Sequence, residues 1–198
     1  MQLLYLTLLL AAHCSLAATV EWGFCKDYPV QENFTMAQYL GTWYEIEQTD
    51  SEKGNRCLME QYIVDKDNKV ELLTQIVQDD GSVEIHEGEI LYESKIKNPA
   101  KFHFRISSEY ERFGLMGPEP SSRFVMRYWV LATDYTTYSL VYSCITALGI
   151  THKHYAWIMG RERYLSKNVT DNLHELLTTN NIKVTLFPTD QNNCEIKY

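Results

Sequence analysis

Tyr39-Leu40-Gly41-Thr42-Trp43-Tyr44-Glu45-Ile46-Glu47 carries a glycine followed two places later by a tryptophan, at the start of a strand-like run. Gly41 permits a tight turn with the backbone close to its neighbours, and Trp43 is a large ring that needs a buried seat. Taken alone, Gly-x-Trp also describes an ordinary hairpin with a core tryptophan. The chain that follows decides what Trp43 closes.

From Gly41 onward the sequence is a series of short, mostly alternating runs separated by turn residues: Gly41 to Thr49, Cys57 to Val64, Val70 to Val77, Val83 to Tyr92, Lys101 to Ile106, Phe124 to Ala132, Tyr138 to Ile145 and His154 to Met159. Asp65-Lys66-Asp67-Asn68 and Asp79-Asp80-Gly81-Ser82 supply tight links between early runs. Gly88 inside its run marks a bend or bulge. This pattern predicts an all-β fold, an eight-stranded antiparallel up-and-down barrel, the size at which closure leaves room for one small ligand. One helix follows, packed on the outside: Ser166 is placed to cap Lys167 to Thr179, Val169, Leu173, Leu176 and Leu177 form one apolar stripe, and Asn180-Asn181 stops it. Val184-Thr185-Leu186 is expected to add a short ninth strand before Pro188.

With 198 residues, 45% hydrophobic side chains and a net charge of -8, the chain fits one globular domain, expected over residues 19–198. The acidic balance argues against a nucleic-acid partner, since phosphate binding wants a basic patch. Met1 to about Ala18 reads as a signal peptide that is removed, with an apolar core from Leu3 to Ala12 and small residues at Ser15-Leu16-Ala17. Beyond it nothing approaches the ~20 apolar residues of a membrane span. Cleavage removes Cys14 and leaves Cys25, Cys57, Cys144 and Cys194, which in an exported chain suggest two disulfides in any of three pairings. Asn33-Phe34-Thr35 and Asn168-Val169-Thr170 are glycosylation acceptors and fit a secreted, extracellular protein.

One connection stands apart. Residues 107–122 are long for a hairpin and carry Phe113, Leu115 and Met116. Such a loop either folds onto its own barrel or acts as a lid or a lipid-touching tip.

With Gly41-Thr42-Trp43-Tyr44 at the first strand, Thr133-Asp134-Tyr135 between the sixth and seventh, and Arg161 just past the eighth, the chain resembles the lipocalin family. The likeness is strongest to the branch holding apolipoprotein D and the insect bilin-binding proteins. It runs through Tyr128 to Tyr135, Leu140 to Cys144, Ala156-Trp157-Ile158, Asn180-Asn181-Ile182, Thr189-Asp190-Gln191 and Cys194. The resemblance implies that Cys25 pairs with Cys144 and Cys57 with Cys194. It also implies that Arg161 lies across the Trp43 ring at a closed end, a contact with its own cation-π rationale. Gly41, Trp43, Thr133, Asp134, Tyr135 and Arg161 are then structural rather than ligand contacts.

Alternation gives the inner set. If Arg161 points into the closed end, then Met159, Trp157 and Tyr155 share its face. Phe102 and Phe104 oppose His103 and Arg105, and Leu72, Thr74 and Ile76 form one face of their strand with Val70. Tyr62, Val64, Gly88, Ile90, Tyr92, Tyr128 and Val130 complete the expected interior. These aromatics and aliphatics, with a few polar handles, suit a mostly hydrophobic small molecule.

Three functions compete. The first is a secreted carrier of a small hydrophobic ligand: a fatty acid or other lipid, a sterol, a retinoid or a bilin. The second is an enzyme, which the sequence disfavours, because all four mature cysteines are expected to be paired and no phosphate loop or Gly-x-Ser-x-Gly is present. No metal or other cofactor is implied: His152-x-His154 lacks zinc spacing, and alternating histidines on a strand read as a surface pair. The third is a protein that docks on a membrane or lipoprotein surface through Phe113, Leu115 and Met116. Oligomeric state is not encoded in any of these features.

Overall fold

The alternating runs close into a ring in the computed structural model, which describes residues 21–49, 56–78, 80–92, 98–106, 125–147 and 150–194. In chain order the elements are β1 (Glu21–Trp22), α1 (Met36–Tyr39), β2 (Gly41–Gln48), β3 (Arg56–Val64), β4 (Val70–Val77), β5 (Val83–Leu91), β6 (Lys101–Ile106), β7 (Val125–Thr133), β8 (Tyr138–Ala147), β9 (Thr151–Gly160), α2 (Lys167–Thr179) and β10 (Phe187–Pro188). Strands β2 to β9 pair antiparallel with their sequence neighbours, and β9 returns to pair with β2. Ring closure gives every long strand a partner on both sides, although β5 meets β6 only from Gly88 to Leu91 among the described residues.

The chain adds two short pieces outside the ring. Glu21 and Trp22 of β1 pair with His152 and Thr151. Phe187 and Pro188 of β10 pair with Gln48 and Glu47 of β2, beyond Tyr44, the last β2 residue paired with β3. The expected ninth strand therefore lies just past Val184 to Leu186. Proline is tolerated there because an edge strand needs fewer donors.

Apolar side chains separate into two layers. Inward residues of the ring form one cluster around Trp43, Tyr62, Phe102, Tyr128 and Val141, joined by Phe34 and Tyr39 from the segment before β2. The outer cluster packs α2 against β7, β8 and β9 through Leu140, Tyr142, Ile158, Leu173 and Leu177. Burial of Leu173 and Leu177 anchors the helix at roughly 1.5–3 kcal/mol per side chain. Val169 and Leu176 flank that contact as the stripe predicted.

Several expectations are corrected. Ser166 precedes α2, but its hydroxyl makes no capping hydrogen bond; its carbonyl accepts from the Val169 and Thr170 amides. Gly88 marks no bulge, since β4 and β5 pair without interruption from Glu71 opposite Glu89 to Val77 opposite Val83. A Cβ on Gly88 would sit 2.2 Å from the Phe104 ring and 2.8 Å from the Arg105 carbonyl, so its role is to let that ring lie on the backbone. His152 and His154, read as a surface pair, are buried at 3% and 6% exposure, because the N-terminal arm covers this part of the outer wall.

The disulfides join Cys25 to Cys144 and Cys57 to Cys194, as the resemblance implied. They fasten the N-terminal arm to β8 and the C-terminal tail to β3. The expected signal peptide, Cys14 and the loop with Phe113, Leu115 and Met116 lie outside the described residues. Among the described residues no helix is long and apolar enough to cross a membrane.

Candidate functional site

Trp43 seals one end of the ring. Its indole nitrogen donates to the Tyr39 carbonyl at 2.9 Å, and the Arg161 guanidinium lies 3.7 Å from its ring centroid. Arg161 also donates to the carbonyls of Thr42 (2.8 Å), Tyr135 (2.9 Å) and Leu40 (3.0 Å), with longer bonds to Gln38 and Tyr39. A planar, fixed fork of donors suits such convergent carbonyls better than a lysine would. Gly41 enters β2 with φ at +96°, and a Cβ there would stand 3.3 Å from the guanidinium.

Thr133, Asp134 and Tyr135 build the neighbouring turn. The Asp134 carboxylate accepts from the amides of Thr136, Thr137 and Tyr138, while the Thr133 hydroxyl accepts from the Tyr135 amide. Partial burial pushes the Asp134 carboxyl up, but the hydrogen bonds from Tyr138 and Thr137 outweigh it and hold the group below its ordinary value. Tyr135 takes a positive φ of 65° and so presents its carbonyl to Arg161. The motif residues thus lock one closed end.

Above this plug the aromatic rings form a continuous column. Tyr39 lies 4.9 Å from Trp43 and 5.1 Å from Tyr62; Tyr128 stacks 5.1 Å from Phe102 and 6.4 Å from Trp157; Trp157 stacks 6.1 Å from Tyr155. The Lys153 ammonium stands 4.6 Å from the Tyr155 ring, one step nearer the opposite end. Rings from five separate strands, β2, β3, β6, β7 and β9, and from the α1 segment meet here because period-two alternation turns each of those faces inward.

A carboxylate joins the column. Glu60 is paired in register with Trp43 and Thr74, and its Oε2 accepts from both the Tyr62 and Tyr128 hydroxyls at 2.7 Å. Burial pushes the Glu60 carboxyl above its ordinary value, against the two tyrosine hydrogen bonds, which favour the ionised form. Burial likewise drives the Tyr62 and Tyr128 hydroxyls well up, so both remain donors.

Burial divides the predicted inner set into two halves. Tyr62, Leu72, Ile90, Phe102, Phe104, Tyr128, Val130 and Met159 are all buried, and Thr74 and Ile76 are buried further along β4. Tyr155 and Trp157 of that set, and Glu60 beside it, keep partial exposure. Val64 and Tyr92 depart from expectation: at 45% and 51% exposure they sit at the ends of their strands, outside the enclosed space. Tyr92 makes an edge contact, 6.2 Å from Phe102.

Sequence reasoning missed Glu60, Phe34 and Tyr39 as members of the interior. Glu60 was legible, because it shares parity with Tyr62 two places on. Phe34 and Tyr39 precede the first long strand and carry no periodic signal.

The sequence profile of the Lipocalin / cytosolic fatty-acid binding protein family matches residues 40–193. Apolipoprotein D of Cavia porcellus is 42% identical over 197 residues, covering 94% of this chain and 95% of that protein. The Lazarillo protein of Schistocerca americana is 28% identical over 167 residues, covering 82% and 70%. Among solved structures, insecticyanin from Manduca sexta superposes with a TM-score of 0.71 at 22% identity over 88% of this chain and 89% of that one. That last likeness bears on the fold alone.

Proposed function

The chain belongs to the lipocalin family, and from that premise we propose that it is a secreted carrier holding one small, mostly hydrophobic molecule in the half of the barrel away from Trp43. The observation that carries this reading is the partial exposure of Trp157 and Tyr155 on the inner wall, directly above rings that are fully packed. A flat or extended apolar ligand gains a stacking face from them, while Glu60 and its two tyrosines offer one polar anchor. Such a site fits a fatty acid or other lipid, a sterol, a retinoid or a bilin, and carriage needs no chemistry on the ligand.

Secretion is supported by the two disulfides, which persist in an oxidising compartment. Asn33 and Asn168 are both exposed, as glycosylation requires. The alternative of docking on a membrane or lipoprotein surface rests on Phe113, Leu115 and Met116, and no described contact favours it.

Tryptophan fluorescence tests the carrier reading. The folded protein is titrated with oleate, cholesterol, retinol and biliverdin, alongside Trp157→Phe. At least one ligand should quench the parent, and most of that quenching should vanish in W157F. A parent that responds to none of the panel refutes the proposal.

A further inference from the structure

On the outer wall, away from the column, three ligating side chains meet beneath the N-terminal arm. Glu21 of β1 and His152 and His154 of β9 place one ligating atom each within 4.8 Å of the others. His152 Nε2 and His154 Nε2 are 3.0 Å apart, and Glu21 Oε2 lies 3.9 and 4.0 Å from them. The β1 pairing sets this arrangement, since Glu21 stands opposite His152 in register.

The far nitrogens of both rings are already engaged. His152 Nδ1 lies 3.0 Å from the Gly23 carbonyl, which can only accept, so this nitrogen carries the proton and Nε2 keeps its lone pair. His154 Nδ1 meets the Tyr142 hydroxyl at 2.5 Å. A backbone carbonyl or hydroxyl on the second ring nitrogen is the usual way a metal-binding imidazole is oriented. Two imidazoles buried with their Nε2 atoms facing each other, beside a half-exposed carboxylate, form a polar cluster that packing alone does not reward.

We propose that Glu21, His152 and His154 form a binding site for a single divalent cation of the zinc class, with its fourth position open to water. Tetrahedral zinc takes imidazole nitrogen at about 2.0–2.1 Å and carboxylate oxygen at about 2.0–2.2 Å, which sets neighbouring donors about 3.3 Å apart. The imidazoles need to open by a few tenths of an ångström, and the half-exposed Glu21 chain has the freedom to move in. Both Nε2 atoms must present lone pairs, so the proton that His154 holds toward His152 moves to Nδ1, where the Tyr142 oxygen accepts it. The Tyr142 hydroxyl keeps its own proton and turns it away from His154, on the side where the Tyr28 ring lies 5.1 Å off. No proton is lost from the cluster in this exchange. Bound metal would clamp β1 to β9 beside the Cys25 to Cys144 bridge.

The test uses the untagged, disulfide-intact protein after chelator dialysis, titrated with zinc chloride against a chromophoric competitor. One zinc per chain is expected, with Co²⁺ substitution giving a tetrahedral visible spectrum. Glu21→Gln, on a half-exposed side chain, should weaken zinc at least about tenfold while melting with the parent when metal-free, and Tyr142→Phe should weaken it about 10–100-fold. His174→Gln removes the imidazole that pairs with Glu47 at 2.7 Å elsewhere on the surface and should change nothing. The proposal is overturned by a parent that takes up no stoichiometric zinc. It is equally overturned if H174Q abolishes binding, or if E21Q leaves the affinity unchanged.

Discussion

Replacing Arg161 by methionine should lower stability by about 4 kcal/mol without touching the ligand wall. The figure follows from the closed end. Arg161 makes hydrogen bonds of 2.8–3.0 Å to the carbonyls of Thr42, Tyr135 and Leu40. A bond from a charged donor contributes roughly 1.5–3 kcal/mol when well buried, and the partial exposure of Arg161 reduces each to about 1. The cation over Trp43 adds about 1 kcal/mol more. Methionine covers part of the indole but leaves these carbonyls without their donor. At about 2–4 °C per kcal/mol for a chain of this size, the melting temperature should fall by about 12 °C in a far-UV circular dichroism melt. Arg161→Lys should fall between, because a lysine keeps the charge and loses the fork. Ligand affinity well below both melts should not change. A methionine variant melting within about 3 °C of the parent would refute the reasoning, since it would assign the closed end less than about 1 kcal/mol.

Gly88→Ala should cost about 1–3 kcal/mol in a denaturant titration, because its Cβ meets the Phe104 ring and the Arg105 carbonyl. Adding Phe104→Leu should recover only part of that loss, as the carbonyl clash persists. Glu60→Gln gives a pH signature: the folded state holds the Glu60 proton more tightly than the unfolded chain, so the parent loses stability as pH rises from the ordinary carboxylate value through the raised one. Melting temperatures of E60Q and parent should therefore shift in favour of E60Q between pH 4 and pH 8, and parallel curves would contradict the burial of that carboxyl. Opening the long loop tied by Cys57 and Cys194, with both changed to serine, should cost about 2–5 kcal/mol by urea unfolding.

The ring was legible because alternation is a local signal. Val70–Val77, Lys101–Ile106 and Lys167–Thr179 fall where the pattern put them. β9 begins earlier than its apolar run, at Thr151, because its ladder to β8 continues to Ala147 through His152 and Lys153, whose polarity hides a strand. The same parity argument that placed Trp157 inward placed His154 outward. It could not tell that an outward histidine would be buried, since that depends on an arm attached more than a hundred residues away by the Cys25 to Cys144 bridge. Val64 and Tyr92 show the converse limit: parity fixes a side of the sheet, and the strand's end decides whether that side is still enclosed.

The pairing of β2 with β9 also sets an order of events during folding. The first and last strands of the ring meet with one bulge between Glu45 and Glu47, Tyr44 beside Gly160 and Gln48 beside Trp157. Hairpins such as β3 with β4 can form while the chain is still emerging, but closure must wait until β9 has been made. Until then the partly built sheet exposes two unpaired rows of amides and carbonyls and an uncovered aromatic face. The slow step in reaching the native state is expected to be this last long-range docking, and the interval before it is when the chain most needs protection from its own copies.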